Sequence, residues 1–338
     1  MKKIVLCIRR ENKLNYKKMP KVELHLHLDG SVRPETAAKL LGIDIAEARK
    51  NMIADDKCLD LNDYLTKFFI PGEVMQTKKN LELISEELAA DLEEDGVIYA
   101  EIRFAPLKHV FKGLSLDEVV ESVLKGLAKK SLKTNLILCM MRGDKEEDNI
   151  KVVDLAERFL NRGVVALDLA GAESIYKTID YKNLFVYAKG KNIPFTIHAG
   201  EADGKDSMKA AIDFGAKRLG HGVNAIFHKE LLQEIRQKDI LLEICPTSNV
   251  QTNVIKDIKY HPVRKLYDAN ILVSINTDNN TVSNVTLTTE YEKLAQKLNF
   301  TYKDFVKMNK DAIRHAFISE DEKEQLLQKY DEKLNQLS

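Results

Sequence analysis

His25 and His27 stand one residue apart in the run Leu24-His25-Leu26-His27. On a strand, alternate side chains share a face, so both imidazoles would project the same way, about 7 Å apart along the backbone. Such a pair can share one metal ion at roughly 2.0–2.1 Å each once a third imidazole and a carboxylate join them. Three later segments offer the missing groups: Thr196-Ile197-His198-Ala199-Gly200-Glu201, Leu219-Gly220-His221-Gly222 and Ile275-Asn276-Thr277-Asp278. His25, His27, His198 and Asp278 together make a three-nitrogen, one-oxygen set, which suits zinc. Zinc so held lowers the pKa of its water toward 7 and yields hydroxide at neutral pH. Glu201, just beyond His198, supplies a carboxyl group suited to general acid–base work. His221 lies between two glycines that let the backbone pass close to a ligand, and its imidazole can orient or deprotonate a water. Each residue alone has a plainer reading, as an incidental strand histidine, a hydrogen-bonded buried polar group or a solvated loop glutamate. Their conjunction points to a metal-dependent hydrolase.

Such a site needs elements that end together. Eight apolar, β-branched runs recur at 22–27, 97–104, 135–141, 164–170, 195–198, 218–220, 241–245 and 272–276. Between them lie stretches with helical spacing, such as Leu81, Ile84, Leu88 and Leu92, with charged residues on the opposite face. Strand–helix units of this size predict a parallel sheet, and eight of them close into a (β/α)8 TIM-type barrel of α/β class. Active sites of that fold sit at the C-terminal strand ends, where every segment above falls. An open doubly wound sheet would bring a Gly-rich phosphate loop, and none is present. The connection from the first to the second strand, about seventy residues, leaves room for inserted helices. Within it Leu61, Tyr64, Leu65 and Phe68 form an apolar helical stripe that suits core packing or, from its position, a lid over an apolar pocket. Ser319 and Glu322 are spaced as a capping box for a last helix. The expected organisation is an N-terminal extension of unassigned role over 1–18 and one barrel domain over 19–338.

Bulk composition narrows the function classes. With 338 residues the chain can bury about three quarters of its unfolded surface without needing metal or disulfides to fold. Fifty-two basic residues balance 52 acidic ones and tryptophan is absent, which argues against nucleic-acid binding. The apolar run after Met1 is too short for a signal peptide, and no stretch approaches a membrane span. Cys7, Cys58, Cys139 and Cys245 are scattered, as expected of buried thiols in a reducing compartment. A cytoplasmic location and no membrane partner are the expectation; oligomeric state is not readable.

The segments Pro20-Lys21-Val22-Glu23-Leu24-His25-Leu26-His27-Leu28-Asp29-Gly30, His198-Ala199-Gly200-Glu201, Gly220-His221-Gly222 and Thr277-Asp278 resemble, in the right order, the motifs of the adenosine deaminase family. The resemblance implies a barrel with one zinc per chain that hydrolyses the 6-amino group of adenosine, and of 2′-deoxyadenosine, to inosine-type product and ammonia in purine salvage. It implies His25, His27, His198 and Asp278 as zinc ligands, with His27 also beside the substrate. Glu201 resembles the residue that protonates N1, and His221 the one that positions and helps deprotonate the attacking water. Asp29 resembles the contact to the ribose 5′-hydroxyl and Gly171 the backbone donor to N3. Two-metal relatives usually carry a lysine at the fourth strand end; here it reads Leu169-Ala170-Gly171, so one metal is implied.

One position departs from that pattern. The family commonly has a second aspartate after the zinc aspartate, where this chain has Asn279-Asn280-Thr281. An Asn279 amide can donate to N7 without needing a titratable proton. Rival readings are a deaminase of free adenine or another purine, a zinc- or ligand-binding barrel without turnover, and a metal-dependent amide or ester hydrolase. Asp29-Gly30 and Ala170-Gly171 favour a nucleoside over the free base, and retention of Glu201 and His221 favours turnover.

Overall fold

A computed structural model of the chain describes residues 15–337, so Cys7 and most of the N-terminal extension lie outside the described residues. Each of the eight apolar runs is a strand: β1 Lys21–His27, β2 Val97–Phe104, β3 Lys133–Met141, β4 Val164–Ala170, β5 Thr196–Ala199, β6 Arg218–His221, β7 Leu241–Ile244 and β8 Val273–Ile275. Sequential strands pair in parallel within two groups of four, β1 to β4 and β5 to β8. Single bridges, Leu167 to Phe195 and Leu26 to Asp278, join the groups. At the second seam the His27 N–H donates to the Asp278 carbonyl at 2.7 Å, and the Asp278 N–H to the His25 carbonyl at 2.9 Å. The sheet is thereby closed into the (β/α)8 barrel, and the seam itself ties two of the expected ligand strands together.

Helices form where period and caps agree. Lys78–Glu94 starts at Thr77, whose side chain accepts from the Asn80 N–H, and buries Leu81, Ile84, Leu88 and Leu92. The capping box at Ser319 and Glu322 opens the last helix, Glu320–Asn335. Between β1 and β2 run helices at Pro34–Leu41, Ile45–Met52, Leu61–Leu65 and Phe69–Val74 before Lys78–Glu94. The stripe on Leu61–Leu65 serves both readings left open above. Leu61 and Tyr64 pack with Ala54, Cys58 and Val282, while Leu61, Tyr64, Leu65 and Phe68 also wall a cavity of about 660 Å³ at the C-terminal mouth of the barrel. Cys58, Cys139 and Cys245 are buried and unpaired, as expected.

The barrel interior is ionic, whereas branched apolar residues usually fill it. Arg103 on β2 bridges Asp168 on β4 and Glu243 on β7, each at 2.8 Å. Arg218 on β6 reaches Glu101 at 2.7 Å and Glu243 at 2.6 Å, and all five side chains are fully buried. Burial alone would raise Asp168 and Glu243; His198 and Arg103 beside the first, and Arg103 and Arg218 beside the second, hold both below the usual carboxylate range. Removing one partner strands a charge out of water, which typically costs about 3–5 kcal/mol. Arg103→Met is therefore expected to lower the urea midpoint by that stability at unchanged denaturant slope. A loss below about 1 kcal/mol would show that the guanidinium is not what satisfies the two carboxylates.

Candidate active site

All the expected site residues converge on the cavity mouth. His25 and His27 end β1, His198 lies on β5, His221 ends β6, and Asp278 follows β8. The cavity is lined by His27, Asp29, Gly171, His198, Glu201, His221, Asp278 and Asn279, with His25 immediately behind. One nitrogen each from His25, His27 and His198 and one oxygen of Asp278 lie within 4.8 Å of one another. His27 Nε2 is 3.3 Å from His198 Nε2, and Asp278 Oδ1 is 3.5 Å from Nε2 of both His25 and His27. A tetrahedron with bonds of 2.0–2.1 Å has edges of about 3.3–3.4 Å, so a metal ion fits between these atoms. His25 Nε2 is fully buried with no protein hydrogen bond, the condition of an atom that awaits a ligand. A second group, His25, His221, Cys245 and Asp278, is also compact, but burial pushes the Cys245 thiol well up and disfavours the thiolate that binds metal.

The ligand-type histidines are aimed from behind. Glu243 Oε2 lies 2.8 Å from Nδ1 of His25, and Asp168 Oδ2 lies 2.8 Å from Nδ1 of His198. Both carboxylates are the ones Arg103 bridges, so one guanidinium sets two imidazoles with Nε2 facing inward. Gly220 belongs to the same packing. A Cβ there would stand 2.9 Å from Cε1 of His25 and 3.1 Å from Cα of His198. His221 and Asp278 have φ of 63° and 62°. Every other described non-glycine residue with positive φ is Asn or Asp, so His221 is the one among them that places a ring on left-handed backbone.

Glu201 is held by a residue that the spacing did not reveal. The Glu173 carboxylate accepts the backbone N–H groups of Gly200 (2.7 Å), Glu201 (3.0 Å), Ala202 (2.7 Å) and Asp203 (3.0 Å) and the hydroxyl of Ser207 (2.5 Å). That nest fixes the loop after β5 and turns the Glu201 side chain toward His221, at 3.5 Å. Burial, with the nearby charges of Asp278 and Glu173, pushes Glu201 well above the usual carboxyl range, which favours its protonated form. The site thus combines a metal-type cluster, a buried carboxyl group with a raised pKa and an imidazole in one cavity that can hold a small molecule.

Comparison with known proteins decides the family. The adenosine deaminase family profile matches residues 20–333. The chain is 40% identical over 327 residues to an adenosine deaminase of Enterococcus faecalis, covering 94% of this chain and 97% of that one. It is equally 40% identical over 327 residues to an adenosine deaminase of Shewanella halifaxensis, covering 93% and 99%. The chain belongs to the adenosine deaminase family. Among solved structures, an N6-mAMP deaminase of Arabidopsis superposes with a TM-score of 0.85 at 27% identity, covering 94% of this chain and 99% of that chain. An adenine deaminase of Arthrobacter aurescens gives the same TM-score of 0.85 at 24% identity over 94% and 99%, which shows the shared fold.

The position after Asp278 shows what this chain does with its asparagine. The Asn279 Nδ2 donates to the Tyr64 hydroxyl at 3.0 Å, and Tyr64 pairs with the Ser283 hydroxyl at 2.7 Å. One amide N–H of Asn279 is thus committed to the cavity roof and one remains. Of the histidines given no role from sequence, His109 lines the cavity with neither ring nitrogen bonded, and His261 contacts Asn249, the partner of His221. His315 lies away from the cavity, against the Asp311 and Asp239 carbonyls.

Proposed function

We propose that this chain hydrolyses adenosine and 2′-deoxyadenosine to the 6-oxo nucleoside and ammonia, with one zinc per chain, as a cytoplasmic enzyme of purine salvage whose barrel domain spans 19–338. The observation that carries this reading is the placement of the buried Glu201, its carboxyl pushed well above the usual range, beside a three-nitrogen, one-oxygen cluster in a single cavity. His25, His27, His198 and Asp278 would hold the zinc, which when bound supplies the acidified water. Attack at C6 breaks the aromaticity of the ring, and protonating N1 at the same moment avoids an anionic intermediate. Glu201 is the group with a proton to give. The Gly171 backbone faces N3, the remaining Asn279 N–H faces N7, and Asp29 faces the ribose end. His27 closes the ring's edge next to the metal. The partner implied is a small purine nucleoside. Among the described residues no helix is long and apolar enough to cross a membrane.

Ammonia release from adenosine, 2′-deoxyadenosine, adenine, AMP and a simple amide, measured on zinc-loaded protein, tests the reading. Turnover of the two nucleosides should exceed that of the others by orders of magnitude. Faster release from adenine or AMP would replace nucleoside by base or nucleotide as the substrate.

Asp29 gives a sharper check of the ribose end. Its Oδ1 accepts the Gly30 N–H at 3.1 Å, and burial lifts the carboxyl to about 6. Asp29→Ala should raise KM for adenosine far more than for 5′-deoxyadenosine, because the lost bond is to the 5′-hydroxyl. Equal losses for the two substrates would show that Asp29 does not touch that hydroxyl.

A further inference from the structure

A neutral imidazole carries one ring proton, and the nitrogen that holds it decides which side gives a hydrogen bond and which side takes one. His221 turns Nε2 toward the cavity, 3.5 Å from Glu201 Oε2, and Nδ1 toward the interior, 3.0 Å from Nδ2 of Asn249. Asn249 Oδ1 lies 3.2 Å from Nε2 of His261, and the backbone N–H of Val263 meets Nδ1 of His261 at 3.2 Å. His221, Asn249 and His261 are all buried.

This chain of contacts has a direction. A backbone N–H can only donate, so Nδ1 of His261 carries the lone pair and its proton sits on Nε2. That Nε2–H needs an acceptor, and only Oδ1 of the Asn249 amide can accept. The Asn249 NH₂ is thereby turned to His221, where it donates into Nδ1. We infer that His261 and Asn249 are positioning residues that hold His221 as the tautomer with its proton on Nε2, so that His221 donates a hydrogen bond to the oxygen adding at C6 and takes no proton from it. This rests on reading the cavity as a nucleoside deaminase site. Burial agrees with the assignment, since it pushes His261 down to about 3 and so keeps it neutral.

The proton traffic then passes through Glu201 alone. As the O–C6 bond forms, Glu201 gives its proton to N1 and the regenerated carboxylate takes the proton lost by the adding water. The same group next gives that proton to the amino nitrogen and takes the remaining hydroxyl proton. The C6–N bond breaks, ammonia leaves, C6 becomes the carbonyl, and Glu201 ends protonated as it began.

The test is a two-bond ¹H–¹⁵N correlation on zinc-loaded enzyme labelled at histidine, with the His221 signals assigned by their absence in His221→Gln. A protonated Nε2 and a bare Nδ1 are expected. His261→Ala should mix the two tautomers and lower kcat by about 10–100-fold, the usual cost of losing such a partner. KM should stay within roughly threefold, since the loss falls on the chemical step. His261→Gln, whose amide N–H can reach Asn249 Oδ1, should restore both tautomer and rate. A wild-type His221 protonated on Nδ1 would overturn the inference, as would a His261→Ala enzyme that loses activity with its tautomer unchanged. An Nε2-protonated His221 in a protein that does not deaminate adenosine would sink the parent reading while leaving the tautomer assignment in place.

Discussion

Glu201→Gln is expected to lose about 10²–10⁴-fold in kcat, the range that a general acid–base group contributes. The substitution is a conservative one here for a physical reason. Burial and the charges of Asp278 and Glu173 push Glu201 toward its neutral form, and an amide of the same shape keeps the volume and the Thr252 contact. Zinc content, the Glu173 nest and the melting temperature should therefore stay close to those of the parent. KM should change little, because the proton is needed only as the ring is attacked. Stopped assays with adenosine, beside elemental analysis of the same sample, check both halves. A variant keeping more than about a tenth of the parent activity would remove Glu201 from the proton path.

Removing the metal is expected to abolish turnover while leaving the barrel folded. The cluster sits at the mouth, whereas the apolar layer between strands and helices and the ionic layers around Arg103 and Arg218 lie below it. Chelation should lower the melting temperature without changing far-UV ellipticity. The loss in stability is set by affinity, about 4 kcal/mol where free zinc stands a thousandfold above its dissociation constant. Readdition of one equivalent of zinc should restore activity in proportion to metal bound. Two tightly held metals per chain would contradict a single site, and unfolding of the chelated protein would mean that the metal is part of the core.

Much of this architecture was readable in the residues. The eight strands could be placed because buried parallel strands are short continuous apolar runs, and each of the four motifs abuts one of them. Errors at the ends were of one or two residues: β5 runs Thr196–Ala199 where 195–198 was expected, and β8 is only Val273–Ile275. The ligand-type residues were visible because they are local, as in His25-x-His27 or His198 with Glu201. What stayed hidden acts at a distance. Glu173 lies in the loop after β4 yet holds the loop after β5, and no spacing connects the two. Asn249 lies on the short helix Pro246–Gln251 and His261 just after the 3-10 helix Ile258–Tyr260, and they meet only because the chain after β7 doubles back. The ionic interior was concealed for another reason. Glu101, Arg103, Glu243 and Arg218 alternate with apolar neighbours, and sequence alone does not say whether such a face meets water or its own countercharges.

The left-handed backbone at His221 carries a lesson for anyone who would make this barrel sturdier. A glycine there would relax the backbone by on the order of 1 kcal/mol, but it would also open a void and leave the buried Asn249 amide without its imidazole partner. Resistance to heat and turnover thus draw on different properties of this one residue, and a library ranked on heat alone reports only the first. Screening for thermal tolerance in this family member must therefore score turnover in the same well, or hold residue 221 constant from the start.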